Sequence, residues 1–466
     1  MNYLAHPAAL IAAILLVLLC AAAGKLCVFA EKAPPPAQAV NKHATLRKAM
    51  VMVLMLHGAE VNDMQNGFRL PNARAGEAYE GALTLLNPTA GKIIFLDIQL
   101  PKDLPFTINL PQGALSGTPP KAGDFDIHVR YFYDGEIPPR ERSATTSLLV
   151  IQNPKSLWKN LPSDKDGLFW RPDEISMQLQ HVHFTSLAAS KRGRSHAHQG
   201  SFRDDDYRLS VTNDWIIAVV ADGAGSAKYS RRGAEIICQI AHDYLAEKLH
   251  GEASEALIHA TEILHSARNT YYDAESIAAT NLRSILQETI GLAAITAFSA
   301  LEQETLKNAH LGTCLKDFSS TALLSICRQF PFGILCATYS VGDGAIGLYC
   351  ENQSIILLNQ TDSGEFAGQT RFLDEEAILP NALKARIQFA LVDKMTALLL
   401  MTDGISDAFF ETETQLASTA AWDKLWEQFE SNVHTENADK KLLAWLDFWS
   451  QGNHDDRTMI VVKPHG

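Results

Sequence analysis

Acidic residues stand at the ends of apolar runs in five places along this chain. Ile216–Ala221 leads into Asp222-Gly223, Ala337–Gly342 into Asp343-Gly344, and Leu398–Thr402 into Asp403-Gly404. Asp204-Asp205-Asp206 precedes them, and Asp455-Asp456 comes just before the closing run Thr458–Val462. A carboxylate at a strand end is held rigidly at the rim of a sheet while its head reaches solvent, and a glycine beside it lets backbone approach an ion closely. Several such groups aimed at one point repel each other unless cations lie between them. Hard oxygen ligands suit Mg²⁺ or Mn²⁺ rather than zinc. The pattern points to a hydrolytic centre with two metal ions. Asp-Gly is also the commonest short turn signal, so the inference rests on the whole set, and periodicity alone does not bring the set together in space.

The elements that would carry these residues come in blocks between Gln178 and Val462. Strand-like runs lie before Asp222, and helical patterns follow over Ser230–Lys248, Ser254–Asn269 and Ser276–Leu306. Strands resume at Thr321–Cys327, Gly333–Val341, Ile346–Cys350 and Ser354–Leu358, with helical stretches at Ala421–Ser431 and Ala438–Trp449. Separate blocks of strands and helices predict an α+β fold of antiparallel sheets with helices packed outside, not a doubly wound parallel sheet. Asp222-Gly223-Ala224-Gly225 lacks both the G-x-G-x-x-G spacing and a Walker lysine, which argues against a nucleotide loop.

Upstream, residues 70–152 read as an all-β module. The runs Ala82–Leu86, Lys92–Gln99, Phe125–Tyr133 and Thr145–Ile151 are separated by turn signals such as Asn87-Pro88 and Asp134-Gly135. The stretch from Leu115-Ser116-Gly117-Thr118-Pro119 to Gly123-Asp124-Phe125 resembles the repeat of cadherin-like and immunoglobulin-like bacterial domains, implying a small sandwich that serves as spacer or docking module. Residues 153–177 read as a linker with Trp158 and Trp170 as packing anchors, and 31–69 as another, stiff and extended over Glu31–Val40 with its three prolines at Pro34–Pro36. Pro7–Ala30 is apolar apart from Lys25 and long enough to cross a bilayer core of ~30 Å. Lys25, Lys32, Lys42, Arg47 and Lys48 follow it and no Lys or Arg precedes it. Residues 7–30 are therefore expected to form a single transmembrane anchor in the inner membrane, with 178–466 in the cytoplasm. A cleaved secretory signal is the competing reading.

The net charge of −13 over 466 residues argues against nucleic-acid binding. Seven cysteines, an odd number without a C-x-x-C, make neither a disulfide framework nor a zinc site. Cys314, Cys327, Cys336 and Cys350 are expected as buried thiols. His181/His183 and His196/His198 would each share one face if their segments were strands.

Taken in order, Ser195-His196, Gly200 and Asp205, then Val219–Ser226, Ser319–Ala322, Val341–Gly344, Met401–Asp407 and Asp455–Thr458 resemble the metal-dependent Ser/Thr protein phosphatases of type 2C in their compact bacterial form. The resemblance spans roughly Ser195 to Val462. It implies a β-sandwich flanked by helices that hydrolyses phosphoserine and phosphothreonine in proteins with two Mn²⁺ or Mg²⁺ ions, opposing a Ser/Thr kinase. Carried over, Asp205 and Asp222 hold metal together with the carbonyl of Gly223, Asp403 and Asp455 hold the second ion, and Asp343 helps hold a weaker third. Asp206 is the alternative to Asp205. His196 is the candidate general acid, or else a ring hydrogen-bonded to a ligand carboxylate. Arg203 is the candidate for phosphate binding, with Arg194, Lys228, Arg231 and Arg232 behind it. The alternative function is a catalytically weak scaffold or phosphoprotein-binding module at the membrane.

Overall fold

The structure is a computed structural model, and it describes residues 67–87, 92–268, 272–350, 354–359, 370–433 and 435–465. The expected anchor at 7–30 and nearly all of the linker 31–69 lie outside the described residues. The chain divides into two compact units, Met1–Ser156 and Leu157–Gly466.

Among the described residues of the first unit, the strands run β1 (Phe68–Arg69), β2 (Ala73–Arg74), β3 (Tyr79–Ala82), β4 (Thr84–Leu85), β5 (Ile93–Gln99), β6 (Phe106–Asn109), β7 (Ala114–Gly117), β8 (Gly123–Tyr133) and β9 (Arg142–Ile151). Sheets of order β2-β9-β8-β5 and β3-β7-β6 contribute to one apolar core, which includes Leu115, Ile127, Val129 and Leu148. The alternation of β8, with Phe125, Ile127, Val129 and Tyr131 buried and the residues between them exposed, is that of a half-buried strand.

The second unit is built on two antiparallel sheets. One has six strands in the order β10-β11-β20-β19-β16-β17, formed by β10 (Glu174–Gln180), β11 (Phe184–Lys191), β16 (Ala345–Tyr349), β17 (Ile355–Leu357), β19 (Ala397–Met401) and β20 (Arg457–Pro464). The other has five in the order β12-β13-β14-β15-β18, formed by β12 (Asp206–Thr212), β13 (Trp215–Ala221), β14 (Ala322–Phe330), β15 (Gly333–Val341) and β18 (Ile387–Val392). Side chains from both, among them Val220, Leu323, Ile346, Leu400 and Ile460, fill the layer between the sheets. Every residue of β13 is buried, because its second face is covered as well.

That outer covering comes from helices α2 (Ser230–Leu249), α3 (Glu252–Ala267), α4 (Tyr272–Leu286) and α5 (Leu292–Lys307) on the five-stranded sheet. Helix α1 (Arg194–Gln199) lies on the site side of β11. Beyond α5, α6 (Pro380–Arg386) leads into β18 and α7 (Asp403–Phe409) follows β19; α8 (Thr419–Val433) and α9 (Ala438–Trp445) cover the six-stranded sheet. The result is the expected sandwich of antiparallel sheets with helices outside. Among the described residues one helical stretch, Ala274–Lys307, is long and apolar enough to cross a membrane. Half of its apolar window is buried, and Leu286, Ile290, Ala294 and Leu301 join the core against the sheet.

Several expectations need correction. Residues 157–177, read as linker, pack as part of the second unit, because their carbonyls accept hydrogen bonds from its buried arginines. His181 and His183 fall in the turn between β10 and β11, and His196 and His198 fall on a helix, so neither pair shares a strand face. Cys327 and Cys336 are buried across β14 and β15 with sulfurs 3.5 Å apart, and Cys350 is buried, but Cys314 is exposed.

Candidate metal centre

The antiparallel registers bring one end of β11, β12, β13, β14, β15, β16, β19 and β20 to a common rim. Asp205 directly precedes β12, Asp222 directly follows β13, Asp343 lies in the β15–β16 turn, Asp403 opens α7 after β19, and Asp455 and Asp456 precede β20. The acidic groups spread along the sequence thus meet at one edge of the sandwich.

Successive residues on an extended strand point to opposite faces, and this separates the aspartates at 204–206. The Asp205 carboxylate turns inward, where its Oδ2 accepts hydrogen bonds from Thr402 Oγ1 (2.9 Å) and Thr458 Oγ1 (2.7 Å). Asp206, one residue on, faces the helices and is held by Arg171 (2.8 Å) and Arg208 (3.2 Å). The structure therefore places Asp205 with the cluster and gives Asp206 to a buried ion-pair network, away from the ligand role offered as its alternative.

Asp222 is fixed through its backbone, its N–H donating to Thr321 Oγ1 and its carbonyl accepting from Thr321 N and Ser320 Oγ. Its carboxyl lies within hydrogen-bonding reach of Asp403. Gly223 packs so closely that a Cβ would lie 2.7 Å from the Asp204 carbonyl oxygen and 2.9 Å from Ser230. Asp343 accepts from Thr370 Oγ1. Asp455 is solvent-exposed, and its Oδ1 accepts from the N–H of Asp456.

Charge in this cluster is left uncompensated. Among the described residues, Asp204 Oδ1, Asp205 Oδ1, Asp343 Oδ1 and Asp403 Oδ1 are buried without a hydrogen-bond partner, as is Asp206 Oδ1 beside its arginines, which native structures seldom tolerate without an ion or water to satisfy them. Burial and then the neighbouring carboxylates push Asp205 and Asp222 well above the carboxylate range. Burial, with Asp343 and Asp455 nearby, raises Asp403 to about 7, and burial with Asp456 raises Asp204 to about 6. An all-oxygen donor set that repels itself in this way fits hard divalent cations.

Asp456 differs from its neighbours. Its buried carboxylate accepts from Gly193 N (2.6 Å), Asp204 N and His196 Nδ1 (2.9 Å), and these contacts hold its pKa below the usual value despite burial. His196 answers it: burial pulls the imidazole down, but Asp456, Asp204 and Asp455 outweigh that and raise it to about 10. His196, Asp455 and Asp456 form a tight group with ligating atoms within 4.8 Å of one another. His196 is thus paired with a carboxylate, that of Asp456, which is not among the expected ligands.

Arg203 is a correction. Its guanidinium is wholly buried, donating from Nε to Pro172 O (2.9 Å) and from Nη1 to Ser190 Oγ and Asp205 O (both 2.6 Å), so it faces inward rather than the open rim where phosphate would arrive. Arg194 is bonded to the carbonyls of Asp447 and Phe448, Arg231 to those of Leu168 and Phe169, and Arg232 to Glu235 and Glu304. Lys228 is exposed, over the ring of Tyr229. Sequence reasoning assigned no role to Thr402, Thr458, Asp456 or Asp407. The first three sit beside expected ligands in the motifs Thr402-Asp403 and Asp455-Asp456-Arg457-Thr458. Asp407 follows Asp403 by one helical turn, and burial together with Asp343 and Asp455 raises its pKa.

No curated protein matches this chain. Among solved structures it is similar to a serine-threonine phosphatase 2C from Toxoplasma gondii (15% identity, TM-score 0.40, 63% of this chain and 100% of that one). It is similar also to the Staphylococcus aureus serine/threonine phosphatase Stp1 (16% identity, TM-score 0.32, 62% and 98%). A third likeness is the catalytic domain of the serine/threonine protein phosphatase PstP in complex with two manganese ions (14% identity, TM-score 0.33, 61% and 99%). These likenesses are too remote to carry weight. The sequence model of the protein phosphatase 2C family matches residues 192–447, more than half of the chain and the stretch that holds all but one of the expected ligands. On that match the chain belongs to the protein phosphatase 2C family.

Proposed function

We propose that the second unit removes phosphate from phosphoserine and phosphothreonine of proteins, using two Mn²⁺ or Mg²⁺ ions. Asp205, Asp222, the carbonyl of Gly223, Asp403 and Asp455 would hold them, with Asp343 near a weaker third. The observation that carries this reading is the convergence of strand-end carboxylates whose buried oxygens have no partner among the described residues. A catalytically weak scaffold would have no need to keep so much unrelieved charge at one rim. When bound, such ions lower the pKa of a water into the neutral range and offset charge on the phosphoryl oxygens.

The chain supplies position and a proton. Thr402 and Thr458 fix one oxygen of Asp205 and leave the other for a cation. Asp456 locks His196 through Nδ1, so Nε2 remains to donate a proton to the departing seryl or threonyl oxygen. Positive charge in the cluster would lower the His196 pKa from about 10 toward the range where proton transfer is effective. With the four arginines engaged elsewhere, neutralisation of the phosphoryl group falls to the cations.

The substrate is then a phosphorylated protein, with a Ser/Thr kinase as the opposing activity. An anchor at 7–30 would hold the enzyme at the inner membrane facing the cytoplasm. The reading is tested by phosphate release from a phosphothreonine peptide by the full chain with Mn²⁺, Mg²⁺ or EDTA, beside Asp403→Asn. Metal-dependent release lost in the variant supports it; no release by folded wild type under any condition refutes it.

A further inference from the structure

The segment Leu157–Asp173 forms a strap along the loop Ser201–Asp206, and arginines join the two nearly residue by residue. Arg192 donates to Leu161 O (2.7 Å) on the strap and to Ser201 O (2.7 Å) on the loop. Arg231 donates to Leu168 O (2.6 Å) and Phe169 O (3.1 Å), stacks 3.9 Å from the centre of the Phe202 ring, and lies 3.9 Å from the Asp204 carboxylate. Arg203 joins Pro172 O to Asp205 O. Arg171, on the strap itself, pairs with Asp206 at 2.8 Å and with Glu235 on α2. Ser163 and Trp170 brace the strap internally: Ser163 Oγ donates to Asp173 and accepts from Trp170 Nε1.

Arg192, Arg203 and Arg231 are buried. A buried guanidinium that loses its acceptors is costly, so strap and loop have to move together. The loop ends in Asp205, whose carboxylate is aimed from two sides. Its Oδ2 is held by Thr402 and Thr458; its own carbonyl is held by Arg203, which also donates to Ser190 Oγ, itself 2.7 Å from Thr458 Oγ1. The guanidinium of Arg203 therefore touches both the backbone of Asp205 and the hydroxyl network that orients its side chain.

We infer that the strap is a working part of the metal centre and that Arg203 is its positioning residue: Arg203 transmits the position of Pro172 to Asp205, and loosening the strap weakens cation binding there. This rests on the metal-centre reading above. It gives a role to the segment through which the chain enters the second unit, and it explains why an arginine close to the first ligand in sequence points away from the phosphate.

The test uses the full chain and four variants: Arg203→Met, Arg203→Lys, and the strap variants Arg171→Met and Ser163→Ala. Four quantities are measured: the Mn²⁺ dissociation constant by calorimetry, the Mn²⁺ concentration for half-maximal phosphopeptide hydrolysis, kcat at saturating Mn²⁺, and the Tm in EDTA. Arg203→Met is expected to raise both Mn²⁺ constants by about 10–100-fold, the range for residues that orient ligands, while kcat is largely recovered at saturating Mn²⁺. Arg203→Lys, which keeps a donor for the Asp205 carbonyl, falls in between. The strap variants move the same constants the same way without altering a ligand or Arg203, and they decide the matter if Arg203→Met does not fold. Folded variants whose Mn²⁺ constants stay within about twofold of wild type, well below that range, would overturn the inference even if their Tm fell. Wild type that binds no Mn²⁺ would overturn the metal-centre reading itself, and this inference with it.

Discussion

At the scale of single residues, the cluster owes its character to oxygens that have been fixed without being satisfied. Asp403 combines burial with four acidic neighbours, Asp222, Asp343, Asp407 and Asp455. Asp403→Asn is expected to reduce metal-dependent hydrolysis by more than about 100-fold, above the cost of losing an orienting partner, while leaving the Tm in EDTA level or higher because a repulsion has gone. Parallel rate and thermal-melt measurements check both halves. Thr458→Val keeps the branched shape in β20 but removes a donor to Asp205, and should weaken Mn²⁺ binding by about 10–100-fold in a calorimetric titration. The aspartates that meet at the rim were legible in the sequence because most of them stand at the end of an apolar run. What separates Asp205 from Asp206 is where β12 begins, which turns Asp205 toward Thr402 and Thr458 and Asp206 toward Arg171, a fact of hydrogen bonding that no pattern of residue types displays. Arg203 misled for the same reason: closeness in sequence to Asp205 says nothing about which side of the backbone a long side chain takes.

At the scale of elements, the central strands announced themselves and the edge did not. Runs such as β13, β14 and β15 are almost wholly apolar because both faces are covered. β10, Glu-Ile-Ser-Met-Gln-Leu-Gln, lies at a sheet edge with no fully buried residue, and its mixed composition reads as readily as connection. β18 was missed as well, and α1 is too short to show a period. Helix α2, packed on the sheet through residues such as Ile237, Ala241 and Leu245, also makes one very close contact: a Cβ at Gly233 would sit 1.9 Å from the Phe318 carbonyl oxygen, a backbone atom that cannot turn aside. Gly233→Ala should cost about 1–3 kcal/mol in urea unfolding, the usual penalty for overpacking, and should disturb the stretch from Phe318 to Ser320 that leads to Asp222.

For the whole molecule, raised carboxylate pKa values set the sign of the pH dependence. Asp204 at about 6 and Asp403 at about 7 lie above their unfolded value of about 3.9, so the folded chain holds more protons between those limits. Their favourable contribution is fully present below the unfolded value and is lost as pH rises through the folded one. His196, raised to about 10 from about 6.5, loses its contribution in the same direction at higher pH. Asp456, held low, acts oppositely but only in strong acid. The Tm in EDTA should therefore fall steadily from about pH 5 to about pH 9. Mn²⁺ at about 100 times its dissociation constant should restore about 2.7 kcal/mol near neutrality. A scanning-calorimetry series with and without chelator measures both.

The carboxylates at the rim also come from remote parts of the chain, Asp205 at one extreme and Asp455 at the other. A two-cation cluster held across these carboxylates would tie off a loop covering most of the second unit, as a removable staple does. Its departure would have to precede global opening, so loading should lengthen the lifetime of the native state and not only deepen its well. Chelation would then shorten survival against a protease, making metal supply a control on the abundance of the protein as well as on its turnover.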